Sequence, residues 1–311
     1  MSIKAELGKK IRKLREERGL SRSELCEGEE ELTVRQLARI EAGESLPTIT
    51  KLEFIAMRLS VSVSLLVDKK YVELPKSYLQ LKRRIYKFYT YREEMRIAKK
   101  KQLFTKVYEE YYDELPEEEQ LSIDVQYAAL EMYLTGSLSF SEGILGEYFS
   151  QILQKKEYSV NDLLIIELYF GSIHFKDYDE TLFLTLFSRV TDQIDYSIDI
   201  EQFLLIKALI VSISVFLEFG NYDKIIDAVT AANKIMNVNQ DFQKKPIIDM
   251  HEGKYYLFSQ KDVPTAKQKF EEGAKLAELQ GDSVISQKIL KEWELDFAIF
   301  KQQDSSSNQR R

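Results

Sequence analysis

Residues 32–47 read LTVRQLARIEAGESLP. Thr33 and Gln36 stand three apart, the spacing at which a capping threonine takes the amide of the third helical residue and that residue's side chain reaches back. Leu32 and Leu37 fall where a hydrophobic staple would close over the same turn. Gly43 supplies a left-handed stop. The spacing therefore predicts a short helix from the Thr33 cap to Glu41. Leu37 and Ile40 face inward, which leaves Val34, Arg35, Gln36 and Arg39 outward. Such a helix suits a DNA major groove: its N-terminus and Thr33 approach phosphate, arginine offers a fork to guanine, and glutamine offers one to adenine.

Four more helices are predicted around it. One spans about 3–18, with Leu7, Ile11 and Leu14 on one face and Gly19 as its end. Ser21 and Glu24 form a second capping box and open a short helix through Leu25 and Cys26. Pro47-Thr48 starts a fourth, with Leu52, Ile55 and Leu59 inside, and VSVSLLV (61–67) supplies a fifth. Residues 1–70 carry 14 basic and 12 acidic side chains out of 44 and 51 in the chain, leaving 30 against 39 for the rest. The N-terminal piece is thus slightly positive inside a protein of net charge -7.

The run GLSRSELC…LTVRQLARIEAGESLPTITKLEFIAMRLSVSVSLL resembles the helix-turn-helix of the phage-repressor (XRE) family. The likeness lies in the start of the second helix, in Arg39-Ile40-Glu41 followed by Gly43, in Pro47 and in the L-x-x-I-A-x-x-L-x-V-S tail. It departs from that pattern at CEGEEEL (26–32), an acidic connector where the family has a short apolar turn. Arg22, Thr33, Arg35, Gln36 and Arg39 are the candidate DNA contacts.

The remainder reads as all-α. With 12 Gly and 5 Pro in 311 residues, turns are scarce. HFKDYDETLFLTLFSRV (174–190), FGNYDKIIDAVTAANKIM (219–236) and SQKDVPTAKQKFEEGAKLA (259–277) share a turn, an aromatic or apolar residue and a helix of small and apolar residues. Tyr178 and Tyr222 repeat near the period of helix-pair arrays. Ala266, Phe270 and Gly273 resemble a tetratricopeptide repeat, whose stacking makes a superhelix with a concave binding face. The expected domains are 1–68, a helix-turn-helix domain; 69–76, a linker; 77–300, the tetratricopeptide-like sensor; and 301–311, a polar disordered tail.

The composition argues against an enzyme. The two histidines, His174 and His251, have no partners at ligand spacing and read as surface or groove residues; no metal, nucleotide or dinucleotide motif is present. No cofactor is expected. One cysteine, Cys26, fits a reducing cytoplasm. No apolar run approaches the roughly 18 residues of a membrane span, and the charged N-terminus has no signal-peptide core. Residues 82–106 hold ten basic and two acidic side chains. Arg92, Arg96 and Lys100 form a stripe on one helix face. Three uses fit it: a network with EEYYDELPEEE (109–119), contact with DNA backbone, or capture of a peptide carboxylate.

A helix-turn-helix followed by a tetratricopeptide-like domain resembles the Rgg and PlcR quorum-sensing regulators. SRSELC, ELTVRQLARIEAGESLP, KFYTYRE, YDELPEEE and YSVNDLLIIELYF look most like the ComR-like competence regulators within that group. The resemblance implies a short hydrophobic signalling peptide as ligand, a homodimer once activated, an inverted-repeat site in double-stranded DNA and control of competence genes. It implies peptide contacts at Thr90, Arg92 and Lys100, and a resting latch between Arg35 and Glu117. Two other readings remain: an XRE-type repressor whose repeats bind a protein, and a repeat adaptor that does not bind DNA.

Overall fold

The computed structural model describes residues 3–27, 31–66, 74–195, 197 and 199–308. Their secondary structure is helical, with one isolated bridge between Leu46 and Pro116. Contacts divide the chain into two compact units, Met1–Lys156 and Glu157–Arg311. The expected linker at 69–76 falls within the first unit; its residues 69–73, and residues 28–30 of the acidic connector, lie outside the described residues.

The first unit begins with α1 (Ile3–Glu17), α2 (Arg22–Cys26), α3 (Val34–Ala42), α4 (Ile49–Arg58) and α5 (Val63–Leu66). Both expected capping boxes are formed: Ser21 with Glu24, and Thr33 with Gln36. Gly43 is left-handed, at φ 74, and its amide donates to Arg39 and Ile40 carbonyls. Ala5 backbone lies 2.8 Å from where a side chain at Gly43 would begin, so the residue also lets α1 approach. Leu7, Ile11, Leu25, Leu32, Leu37, Ile40, Leu52, Ile55 and Leu59 form the core. Buried Glu41 ties three helices together: it accepts from Arg15 Nε at 2.5 Å and from Arg22 Nε at 2.8 Å.

The unit continues with α6 (Lys76–Lys87), α7 (Glu94–Glu110), α8 (Glu117–Thr135) and α9 (Ser139–Gln154). Tyr78, Leu81, Ile85, Leu103, Phe104, Val107, Leu115 and Ile123 make a second core.

The second unit contains α10 (Val160–Ser172), α11 (Glu180–Asp192), α12 (Asp199–Glu218), α13 (Ile225–Asn239), α14 (Lys245–Phe258), α15 (Val263–Leu279) and α16 (Ser283–Asn308). Each of the three repeated stretches becomes a turn and the second helix of a pair. Tyr178 stacks on Phe219 at 3.9 Å, and Tyr222 stacks on Phe258 at 5.3 Å. In both cases a turn tyrosine covers the phenylalanine at the end of a later first helix. Pairing is tightest between α14 and α15, where a Cβ at Gly253 would lie 2.5 Å from the Phe270 ring and one at Gly273 would lie 2.6 Å from the Pro246 carbonyl.

Three expectations change. Residues 301–308 continue α16 as helix; residues 309–311 are outside the described set. Within α12, an 18-residue window of Ile200–Glu218 has a mean hydropathy of 2.0, long and apolar enough to cross a membrane by length and composition, and most of it is buried within the protein. His251 is not a surface residue: it is buried, and burial pushes its pKa down to about 3. His174 bridges helices, with Nδ1 on Glu218 and Nε2 on Ser214 Oγ at 2.9 Å. Ser214 directs its own proton to the Val211 carbonyl at 2.6 Å, so this trio ties helices together and leaves the serine unactivated.

Candidate DNA-reading helix and its acidic seat

The structure separates the five candidate DNA residues. Arg35 projects from α3 with 73% of its side chain exposed. Arg39, one turn later, is about half as exposed. Thr33 is the buried cap, as read. Gln36 is not outward. Its side chain is 1% exposed, and its Oε1 accepts from the Thr33 amide at 3.1 Å. A glutamine that closes a capping box turns back along its own helix and has no reach into a groove. Arg22 lies beside the same surface with its Nε held by Glu41.

Arg35 and Arg39 meet carboxylates of α8 and α9. Arg35 lies 3.5 Å from Glu147 Oε2 and Arg39 lies 3.9 Å from Glu147 Oε1. The expected Arg35–Glu117 pair is therefore replaced. Glu117 is buried at the first position of α8, where the helix dipole favours a carboxylate. Its Oε1 accepts from Tyr148 at 2.9 Å, its Oε2 lies 3.6 Å from Lys51 Nζ on α4, and its backbone amide donates to Leu46 at 2.6 Å. The reason is positional: the Leu46–Pro116 bridge aligns Glu117 with the start of α4, leaving α3 to face α9.

The cluster extends through Asp124, which accepts from Tyr108 at 2.9 Å and Tyr112 at 2.5 Å. Burial raises the Asp124 carboxyl above its ordinary range, opposed by the two tyrosine hydrogen bonds and by Arg39. Burial and the Glu117 and Glu147 charges push the Tyr148 phenol well up, so it stays a neutral donor. For Arg39, burial works against the charge, but Glu117, Tyr148 and Glu147 outweigh it and raise its pKa. The surface that seats α3 offers a line of acceptors to the guanidiniums expected to read bases.

The sequence missed Glu147, Lys51 and Tyr148. The resemblance to the ComR-like regulators implied Glu117 in their place. The signal for Glu147 was fainter: α9, SFSEGILGEYFSQILQ, is largely apolar and uncharged, and a lone carboxylate on its half-buried face needs a cation.

The three candidate peptide residues lie around the α6–α7 turn. Thr90 is buried. Tyr91 and Arg92 are both left-handed, at φ 49 and 57. Two successive non-glycine residues in that region cost about 1–3 kcal/mol each, and such strain gathers at ligand clamps. The turn sets the Arg92 guanidinium 4.5 Å from the Tyr133 ring centroid. Lys100 donates from Nζ to the Phe88 carbonyl at 2.9 Å. Among the described residues, no group of three or more His, Cys, Asp or Glu side chains is placed to hold a metal ion.

Comparison with known proteins gives the family of the chain. A helix-turn-helix family matches residues 11–66, and the ComR tetratricopeptide family matches residues 75–293. ComR from Streptococcus suis is 34% identical, with a TM-score of 0.80 over 95% of this chain and 96% of that one. The apo form of ComR from S. thermophilus is 31% identical, with a TM-score of 0.84 over 94% and 100%. The S. thermophilus protein in complex with DNA and its signalling peptide ComS is 32% identical, with a TM-score of 0.67 over 93% and 99%. No curated relative matches the chain.

A helix-turn-helix domain with a tetratricopeptide-type array defines a class of transcription regulators in which one part reads DNA and the other senses a ligand. The chain belongs to the ComR family within that class, a family of regulators and not of enzymes.

Proposed function

We propose that this chain activates transcription of competence genes in the cytoplasm when a short hydrophobic peptide binds its repeat domain. In this reading it acts by binding alone, without catalytic chemistry, and grips an inverted-repeat site as a homodimer, one α3 per half-site. The observation that carries the reading is the seat of α3. Arg35 and Arg39 lie beside Glu147, whose carboxylate competes with guanine for their guanidiniums. Peptide binding favours a state in which α3 leaves that seat, by the difference in its affinity for the two states.

Thr90, Arg92 and Lys100 are the proposed peptide contacts, with the two cations placed to take a terminal carboxylate. Each exposed ion pair is worth about 0–1 kcal/mol, so the Arg35–Glu147 pair biases the equilibrium without locking it. The more buried Glu117–Lys51–Tyr148 group adds to the resting state.

The test is DNA binding to an inverted-repeat duplex, with and without ComS or a panel of short hydrophobic peptides. Peptide-dependent binding is expected. Equal binding with and without every peptide indicates a constitutive repressor, and absence of DNA binding under all conditions rejects the reading.

A further inference from the structure

α6 presents a basic face that the latch and the peptide site leave unused. Lys76, Gln80, Arg83, Arg84 and Lys87 lie on one side of this helix, within about 100° of its circumference at 3.6 residues per turn. Tyr78, Leu81, Ile85 and Tyr86 occupy the opposite, buried side. Lys76, Arg83 and Arg84 are exposed. Among the described residues, none of these three has a carboxylate within ion-pair distance. Their neighbours differ: Lys82 is paired with Glu119 at 2.7 Å and Lys101 with Glu131 at 2.7 Å. Lys76 also stands in the first turn of α6, which has no acidic residue and no side-chain cap. A cation there opposes the helix dipole. Three exposed cations without a carboxylate partner on an acidic protein, one of them set against the helix dipole, fit a polyanion outside the chain.

Position identifies the polyanion. α5 ends at Leu66 and α6 begins at Lys76, so at most about 35 Å of extended chain separates them. Whatever duplex α3 engages, α6 stays within one tether of it. α6 is about 18 Å long, enough to run beside about five phosphates of one strand.

We propose that the exposed face of α6, through Lys76, Arg83 and Arg84, is a second DNA-contacting surface that grips the phosphate backbone beside the site read by α3. It rests on the DNA-binding reading above and adds no base specificity of its own.

The test compares the full-length wild type with R83Q/R84Q, titrating peptide-activated protein against an inverted-repeat duplex and a scrambled duplex over a range of salt. Lys275→Gln, which removes one charge elsewhere, is the control, and equal melting temperatures verify folding. The expected result is a slope of log K against log salt that is shallower by about 1–2 in R83Q/R84Q, at about 0.9 per lost phosphate contact. Affinity falls by the same factor on both duplexes, and the peptide concentration for half-activation is unchanged. A slope equal to wild type overturns the proposal. So does loss on the inverted repeat alone, which signals a base contact. If R83Q/R84Q loses binding to phosphatidylglycerol vesicles while its DNA slope is unchanged, the face belongs to a lipid surface and the proposal also fails. A wild type that binds neither duplex rejects both this proposal and the reading it rests on.

Discussion

Gln36 shows how one side chain satisfies two sequence patterns but serves one in the fold. Capping-box spacing and groove-facing spacing coincide at this position, and burial decides between them. Gln36→Ala should therefore cost about 0.5–2 kcal/mol of stability, the range for losing a cap, and leave base preference intact. Thermal melting together with binding to single-base operator variants checks both halves. Arg35 and Arg39 carry the opposite expectation. Alanine at either should lower specific DNA affinity by about 1–3 kcal/mol if it makes a bidentate base contact. His251 belongs to this scale as well. Its folded pKa of about 3 lies below the ordinary 6.5, so the unfolded chain binds the extra proton first. Stability should fall as pH drops below about 6.5 and continue to fall until about pH 3, by up to about 1.4 kcal/mol per pH unit. Denaturant melts from pH 7 to pH 5 should show this slope, and it should disappear in a folded His251→Gln protein.

Elements were legible where local chemistry fixes them. Ser21 with Glu24, Thr33 with Gln36, and Gly19 and Gly43 mark ends that depend on residues three or four positions away, and all four ends occur as read. The α12 helix was harder. Glu201 and Lys207 interrupt its apolar run as written, yet Lys207 is neutralised by Glu167 at 2.8 Å and the helix buries most of its surface. The tight α14–α15 pair was visible only as a small-residue pattern, and its geometry explains the pattern. Gly253→Ala should destabilise the protein by about 1–3 kcal/mol, since the new methyl meets the Phe270 ring. The same change at Gly146, which has open space around it, should leave the melting temperature unchanged or raise it.

At the scale of the molecule, the resting arrangement depends on pairs that sequence spacing does not reveal. Lys51 with Glu117, and Arg35 with Glu147, join residues far apart in the sequence of the first unit. The family resemblance implied a latch at Glu117, and the acidic run at 116–119 agreed with it, but the Leu46–Pro116 bridge sets Glu117 beside α4 and leaves α3 beside Glu147. Glu147→Ala should raise peptide-free DNA affinity by less than about tenfold, consistent with a partly exposed ion pair. Equal affinity in a folded, peptide-responsive Glu147→Ala protein would leave this carboxylate no part in restraint. The end of the chain offers a different return. Trp293 is the single tryptophan, set against Phe270 at 5.3 Å and Phe297 at 5.1 Å. Its fluorescence reports on the contact of α16 with α15, so the untouched protein carries its own optical gauge: a red shift on adding peptide or DNA would mean that more water reaches the half-buried indole and α16 has lifted, while a steady spectrum would mean that activation leaves this helix seated.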